Sequence, residues 1–204
     1  MKLVVKFGGT SLATVKDIKN VVKTVDKIAK KNKTVVVCSA VDAITDELIQ
    51  ISSLIEKGNK KDANRMLAKI SQKHKQFADH LITNPKILKS LSNKLNSDLS
   101  ELEELVHGLI LLGEVTPRSY DYLISFGERL SIDLVSFSLQ ELKNKSVPLS
   151  GKEAGIVTDS NFGDSRPLMD TTKIRLSKTI NEYLKKNTIP VVAGFAGADQ
   201  HDHT

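Results

Sequence analysis

The segment Thr34-Val35-Val36-Val37-Cys38 constrains this chain more than any other. It is short, β-branched at every position but the last, and apolar to both sides. Such a run reads as a strand buried on both faces, central and parallel. A parallel strand needs crossover connections and helices over its sheet, and the sequence supplies both. Lys2–Phe7 is another short apolar run, stopped by Gly8-Gly9, and reads as a buried strand. Ser146–Leu149, Ile156–Thr158 and Thr188–Phe195 have the same character, with Pro190 tolerable only early in its strand or at an edge. Between them, Val15, Ile18, Val21, Val22, Val25 and Ile28 recur at helical spacing behind Thr10 and Ser11 as caps. Further helices are expected over Thr45–Glu56, Arg118–Lys143 (opened by Pro117) and Thr171–Lys186. Strands alternating with helices give an α/β fold with a mainly parallel sheet covered on both faces.

One stretch departs from that alternation. From Lys60 to Leu112 the residues are dominated by Lys, Ser, Asn and Leu, and no strand pattern appears. The reading is a helical insertion, with one helix over Lys60–Leu81, a break at Asn84-Pro85 and another helix over Ser97–Leu112. At 204 residues the chain suits one domain, or a domain with an appendage.

Composition narrows the function classes. A lone cysteine, Cys38, rules out an internal disulfide and a thiolate zinc cage, and fits a reducing compartment. Aromatic residues are 4% with no Trp, leaving little material for stacking single-stranded nucleic acid. No apolar run approaches a membrane span and no signal peptide precedes the first strand, so a cytoplasmic protein without membrane association is expected. The net charge of +6 is spread out. Its densest basic stretch, Lys27 to Lys33, ends a helix, where lysines favour the dipole, and reads as a solvated face rather than a nucleic-acid contact.

In parallel sheets, ligands sit in loops beyond the carboxyl ends of the strands. Four loops qualify: Gly8–Ser11, Ser39–Thr45, Gly151–Gly155 and Gly194–Thr204. The first belongs to Lys6-Phe7-Gly8-Gly9-Thr10-Ser11. Paired glycines let backbone amides approach an anion, Thr10 and Ser11 add donors at the helix start, and Lys6 adds a full charge for phosphoryl oxygens. A tight strand–helix turn with an incidental lysine would look the same. In the second, Ser39-Ala40-Val41-Asp42-Ala43-Ile44-Thr45-Asp46, Ser39 and Thr45 offer hydroxyls to a ligand, although Thr45 suits a plain helix cap equally.

The third motif, Ser125-Phe126-Gly127-Glu128-Arg129-Leu130-Ser131, lies inside a helix. Gly127 costs that helix about 1 kcal/mol relative to Ala, which close approach of another group would offset. Glu128 lines up with Ile124, Ile132 and Val135. A carboxylate on that stripe is either paired with a cation or reserved for a ligand's ammonium group. Arg129 lies one turn from Asp133 and suits a helix-surface pair. His74, His80 and His107 read as polar-face or rim residues. Asp199, His201, Asp202 and His203 read as a flexible polar tail rather than a metal cluster.

Together the three motifs, KFGGTS, SAVDAITD and SFGERLS, resemble those of the aspartate kinases in the amino acid kinase family, which carry KFGGTS, a loop like SAMSGVTD and SxGERLS in the same order. Gly194-Phe195 and the following Gly/Asp/His-rich tail resemble that family's GF…G segment. The resemblance implies a three-layer αβα sandwich, with residues 1–204 as the substrate-side lobe and a helical insertion at about 60–115. It implies transfer of the γ-phosphoryl of ATP, with Mg2+, to the β-carboxylate of L-aspartate, the opening step toward lysine, threonine and methionine, by a homo-oligomer. Lys6 would serve catalysis, and Lys6, Phe7, Gly8, Gly9, Thr10 and Ser11 would hold the phosphates. Ser39, Thr45 and Glu128 would bind aspartate, Glu128 taking its ammonium. Asp42 and Ala43 depart from the family's Ser-Gly. The family's TTLGRGGSD-like segment, nucleotide-binding half and ACT domains have no counterpart in these residues. The expectation is therefore a lobe inactive alone, with an apolar sheet edge exposed. Another superfamily member with a different acceptor, or a non-catalytic module completed by a separate chain, would share these motifs.

Overall fold

A computed structural model describes residues 1–204. Four parallel strands form one sheet: β1 (Lys2–Phe7), β2 (Lys33–Cys38), β3 (Ser146–Leu149) and β4 (Ile189–Ala193), in the order β1-β2-β4-β3. The register sets Phe7 beside Cys38 and Cys38 beside Ala193, so the strands end abreast. β2 is central, as its apolar sequence requires. β1 is not buried as read: it pairs with β2 alone, and its residues alternate between exposed and half-buried, leaving Val4 70% exposed. An apolar run reports a preference for burial, whereas its place in the sheet depends on partners far along the chain. Pro190 is the second residue of β4, where its missing N–H is tolerated although the strand is central.

The helices are α1 (Val15–Ala29), α2 (Ile44–Glu56), α3 (Lys60–Leu81), α4 (Pro85–Leu112), α5 (Pro117–Glu141), α6 (Gly151–Ala154) and α7 (Met169–Lys185). Alternation along the strands divides the core into two. Val36, Cys38, Val191 and Ala193 join the principal core with α1 to α5, while Val35, Val192 and Leu149 pack with Leu184 of α7 and Ala154 of α6 on the opposite face. The result is a three-layer αβα sandwich.

Several local expectations need correction. Thr10 and Ser11 do not cap α1; Gly9–Leu12 forms its own 3-10 turn. Thr14 caps α1 instead, in a capping box with Asp17. α4 starts at Pro85, not near Ser97, because Asn84 accepts the Lys86 and Ile87 amides and proline fits the first helical position. Ile156–Thr158 forms no strand, only single bridges from Val157 to Ala198 and from Thr158 to Pro167. Gly151–Ala154, read as part of a loop, is a short helix with a capping box of its own from Ser150 and Glu153. His74 is fully buried in α3 rather than on a rim. The tail is ordered: Asp199 accepts the amides of His201 and His203 and the Ser160 hydroxyl, at 2.9 Å each.

Candidate active site

The four nominated loops follow β1, β2, β3 and β4 and so lie together at the carboxyl end of the parallel sheet. Backbone bonds hold them together. Ser39 N–H donates to the Phe7 carbonyl and Gly194 N–H to the Cys38 carbonyl, both at 3.0 Å. Glycines then allow closer approach. A Cβ on Gly9 would stand 3.3 Å from the Ala40 carbonyl oxygen, and one on Gly151 would stand 1.6 Å from that of Ala196. Gly127 fits the same pattern: its Cβ would lie 3.0 Å from that of Ala40. The glycine in mid-helix is thus explained by α5 pressing on the loop after β2.

In the first loop, Ser11 N–H donates back to the Gly8 carbonyl at 3.0 Å, closing the turn. Gly8 faces open space, with nothing within 4 Å of where a Cβ would be. Its amide makes no backbone hydrogen bond, and Lys6 is exposed beside it at the strand's end. The donors differ from expectation in one respect: the start of α1 lies beyond the 3-10 turn, so its dipole is not aimed at Gly8-Gly9.

In the second loop, Ser39 is half-buried and tied by its amide to β1. Thr45 is exposed in the first turn of α2 and is not its cap; that position belongs to Ala43, in the left-handed region at φ 66°. The Thr45 hydroxyl is therefore not committed to capping. Lys73 of α3 steadies the loop by donating to the Asp42 carbonyl at 3.0 Å.

Glu128 is the most constrained member. It is 8% exposed, and its Oε2 accepts the Phe195 amide at 2.7 Å. Burial pushes its carboxyl above the usual range, while the backbone amides of Phe195, Ala196 and Gly194 and the nearby Lys6 charge pull the other way. Lys6 forms no contact ion pair with it, so the carboxylate is held by the Phe195 amide rather than consumed by a side-chain cation. The Phe195 side chain points outward, 85% exposed. Arg129 does not pair with Asp133 as read; it reaches across to Asp98 at 2.9 Å and Glu101 at 2.6 Å on α4. The Gly194–Thr204 loop was nominated, but the pairing of its Phe195 amide with Glu128, 67 residues away, had no signal in the sequence. The Arg129 partners had a faint one, acids spaced along one face of α4.

No three His, Cys, Asp or Glu side chains converge to hold a metal ion. No helix is long and apolar enough to cross a membrane. A cavity of about 410 Å³ lies apart from Lys6 and Glu128, between α6, α7 and the tail, lined by charges of both signs including Lys152, Arg175 and Glu182.

The chain is an α/β protein with glycines and a buried acid at the carboxyl ends of its parallel strands, and it belongs to the amino acid kinase family, whose model matches residues 1–203. Its relatives are aspartokinases. Aspartokinase 3, chloroplastic, of Arabidopsis thaliana is 31% identical over 199 residues, covering 95% of this chain and 34% of its own. The aspartokinase of Geobacillus stearothermophilus is 28% identical, with 97% and 34% covered. Among solved structures, E. coli aspartokinase III in complex with aspartate and ADP has a TM-score of 0.84 at 21% identity, over all of this chain and 42% of that one. The same enzyme with lysine and aspartate gives 0.85 at 22%, covering 98% and 42%. The chain thus spans about a third of the length of these curated relatives.

Proposed function

We propose that residues 1–204 form the substrate-side lobe of an aspartate kinase, with α3 and α4 as its helical insertion. The reaction is transfer of the ATP γ-phosphoryl to the β-carboxylate of L-aspartate. Glu128 takes the ammonium of the amino acid, and Ser39 and Thr45 contact its carboxylates. Lys6, with the backbone of Phe7, Gly8 and Gly9 and with Thr10 and Ser11, faces the phosphates. There Lys6 offsets charge on the transferring group. ATP supplies the phosphoryl group and Mg2+ accompanies it, as the resemblance to the aspartate kinases implies. The working protein is a cytoplasmic homo-oligomer feeding lysine, threonine and methionine synthesis.

The observation carrying this reading is Glu128: a buried carboxylate, held by the Phe195 amide, at the end of the sheet bearing the glycine opening. An acceptor without an ammonium has no cation for this group to pair with, which disfavours family members whose acceptor lacks one. Because the chain aligns with about a third of each relative, we expect it to bind L-aspartate without phosphorylating it unaided. Calorimetry with L-aspartate and with succinate, which lacks the ammonium, tests the reading. Binding of aspartate but not succinate, with the preference erased in Glu128→Gln, is expected. Equal binding of the two diacids, or of neither, defeats it, and ATP-dependent aspartyl phosphate formation by these residues alone defeats the inactivity claim.

A further inference from the structure

The helical excursion α3–α4 carries none of the candidate ligands, yet three charged side chains of α4 form a cluster with side chains of α5. Lys94, Asp98 and Glu101 follow one face of α4, and Tyr122, Arg129 and Asp133 answer from α5. The Arg129 guanidinium is forked between Asp98 Oδ1 at 2.9 Å and Glu101 Oε2 at 2.6 Å, and it lies 4.3 Å above the Phe126 ring. Lys94 Nζ binds the other Asp98 oxygen at 2.6 Å. Tyr122 donates to Glu101 and packs edge-on against Phe126. Asp98 and Asp133 are nearly inaccessible. Burial pushes the Asp133 carboxyl well above the usual carboxylate range; its Oδ2 has no hydrogen-bond partner and stands 3.9 Å from Lys94 Nζ.

A buried ionic cluster is a poor source of stability, because desolvation opposes the attraction; fixing one register between helices is its better-attested use. Here the register matters. The turn gripped by α4, Phe126 to Arg129, is the turn that presents Glu128. Apolar packing alone lets a helix roll about its axis. A roll of about 20° would carry a side-chain tip about 2 Å, given the radius of a helix with its side chains. A displacement of even about 1 Å in a positioned group can cost about 100-fold in function.

We propose that Asp98 and Arg129 are positioning residues for Glu128: their ion pair locks the rotation of α5 against α4 and so holds the Glu128 carboxylate on the Phe195 amide. The inference rests on the functional reading for its meaning, but its test does not. The measurement is the carboxyl titration of Glu128 by carbon-13 NMR in the 204-residue chain, for the wild type, Asp98→Asn and Arg129→Lys. Loss of register is expected to move the Glu128 midpoint by about 0.5 pH or more, with the amide spectrum of the sheet unchanged. Where both variants fail to fold, Glu101→Gln, at the exposed end of the cluster, is expected to give a smaller shift of the same sign. A Glu128 midpoint that stays put in the folded variants overturns the proposal. L-aspartate affinity on the same samples is expected to fall about 10-fold, corresponding to about 1.4 kcal/mol. A wild type that ignores aspartate would sink the functional reading while leaving the Glu128 titration to decide this one.

Discussion

Glu128 Oε2 accepts the backbone amide of Phe195 at 2.7 Å, a bond that ties the middle of α5 to the loop after β4. The carboxylate is thereby aimed without being neutralised. Amide donors favour its charged form, yet burial is the larger influence and its affinity for a proton is raised.

A pH dependence follows. An amino acid's ammonium stays protonated below neutrality, so the titrating partner is Glu128, which must be ionised to receive it. With its carboxyl above the usual range, Glu128 takes up its proton earlier than an ordinary glutamate as pH falls. Aspartate affinity is expected to decline as pH falls from neutrality, beginning above the range in which an ordinary glutamate titrates, with uptake of one proton. Glu128→Gln should bind about 10- to 100-fold more weakly at pH ~7, the worth of a charge-assisted hydrogen bond, and show no such decline. Calorimetry across pH checks both; a decline that persists in Glu128→Gln assigns the proton to another group.

Gly127 makes the contact between α5 and the loop after β2 possible. A β-branched side chain there would meet Ala40, Leu48 and Ile44 in space already filled. Gly127→Val is expected to lose roughly 2–3 kcal/mol in urea unfolding, the upper part of the range for overpacking. It should also weaken aspartate binding, because Ser39 adjoins the displaced Ala40. A stable variant with unaltered binding would mean that the loop yields freely.

How much of this was legible in the chain depends on the range of the interaction. The central place of β2 was readable because both its faces are apolar. The solvent-facing side of β1 was not, since Val4 differs from Val35 only in what lies over it. Asn84-Pro85 was visible as a break, but its second meaning, a cap followed by a first-turn proline, was masked by the polar residues after Pro85. The helical spacing of Ile87, Leu91 and Leu95 was the signal available there. Thr14 and Asp17 spelled a capping box that the nearer Thr10 and Ser11 obscured. For the candidate site, Lys6, Gly8, Gly9, Ser39, Thr45 and Glu128 were all nominated from motifs, and their roles remain proposals. The Phe195 amide and the Arg129–Asp98 pair were not, because each joins segments that only folding brings together.

Ala43 stands in the left-handed region at φ 66°, without a side-chain bond to offset the strain. The aspartate kinase pattern has glycine here, and glycine adopts this conformation at no steric cost. Ala43→Gly is expected to stabilise the chain by roughly 0.5–1 kcal/mol, the relief of strain exceeding the added freedom of the unfolded chain. Urea unfolding measures it. A loss of stability would show that the alanine methyl makes a contact worth more than the strain.

His74 sets the acid limit of the fold. Its ring is fully buried, Nδ1 bonds the Ile70 carbonyl at 2.8 Å, and Nε2 has no partner. Burial pushes its pKa down to about 4 from an ordinary 6.5. The unfolded chain therefore binds this proton below pH ~6.5 and the folded chain only near pH ~4, so stability is full above that window and falls as pH drops through it. His74→Leu removes the linkage. Relative to the wild type it is expected to gain about 2–3 kcal/mol on going from pH ~8 to pH ~4.5, by the energy equivalent of the shifted titration. Carboxylates that also respond to acid are common to both proteins and cancel in the comparison. Parallel urea-unfolding curves at the two pH values would settle the point, and an unchanged difference between the proteins would remove His74 from the acid transition.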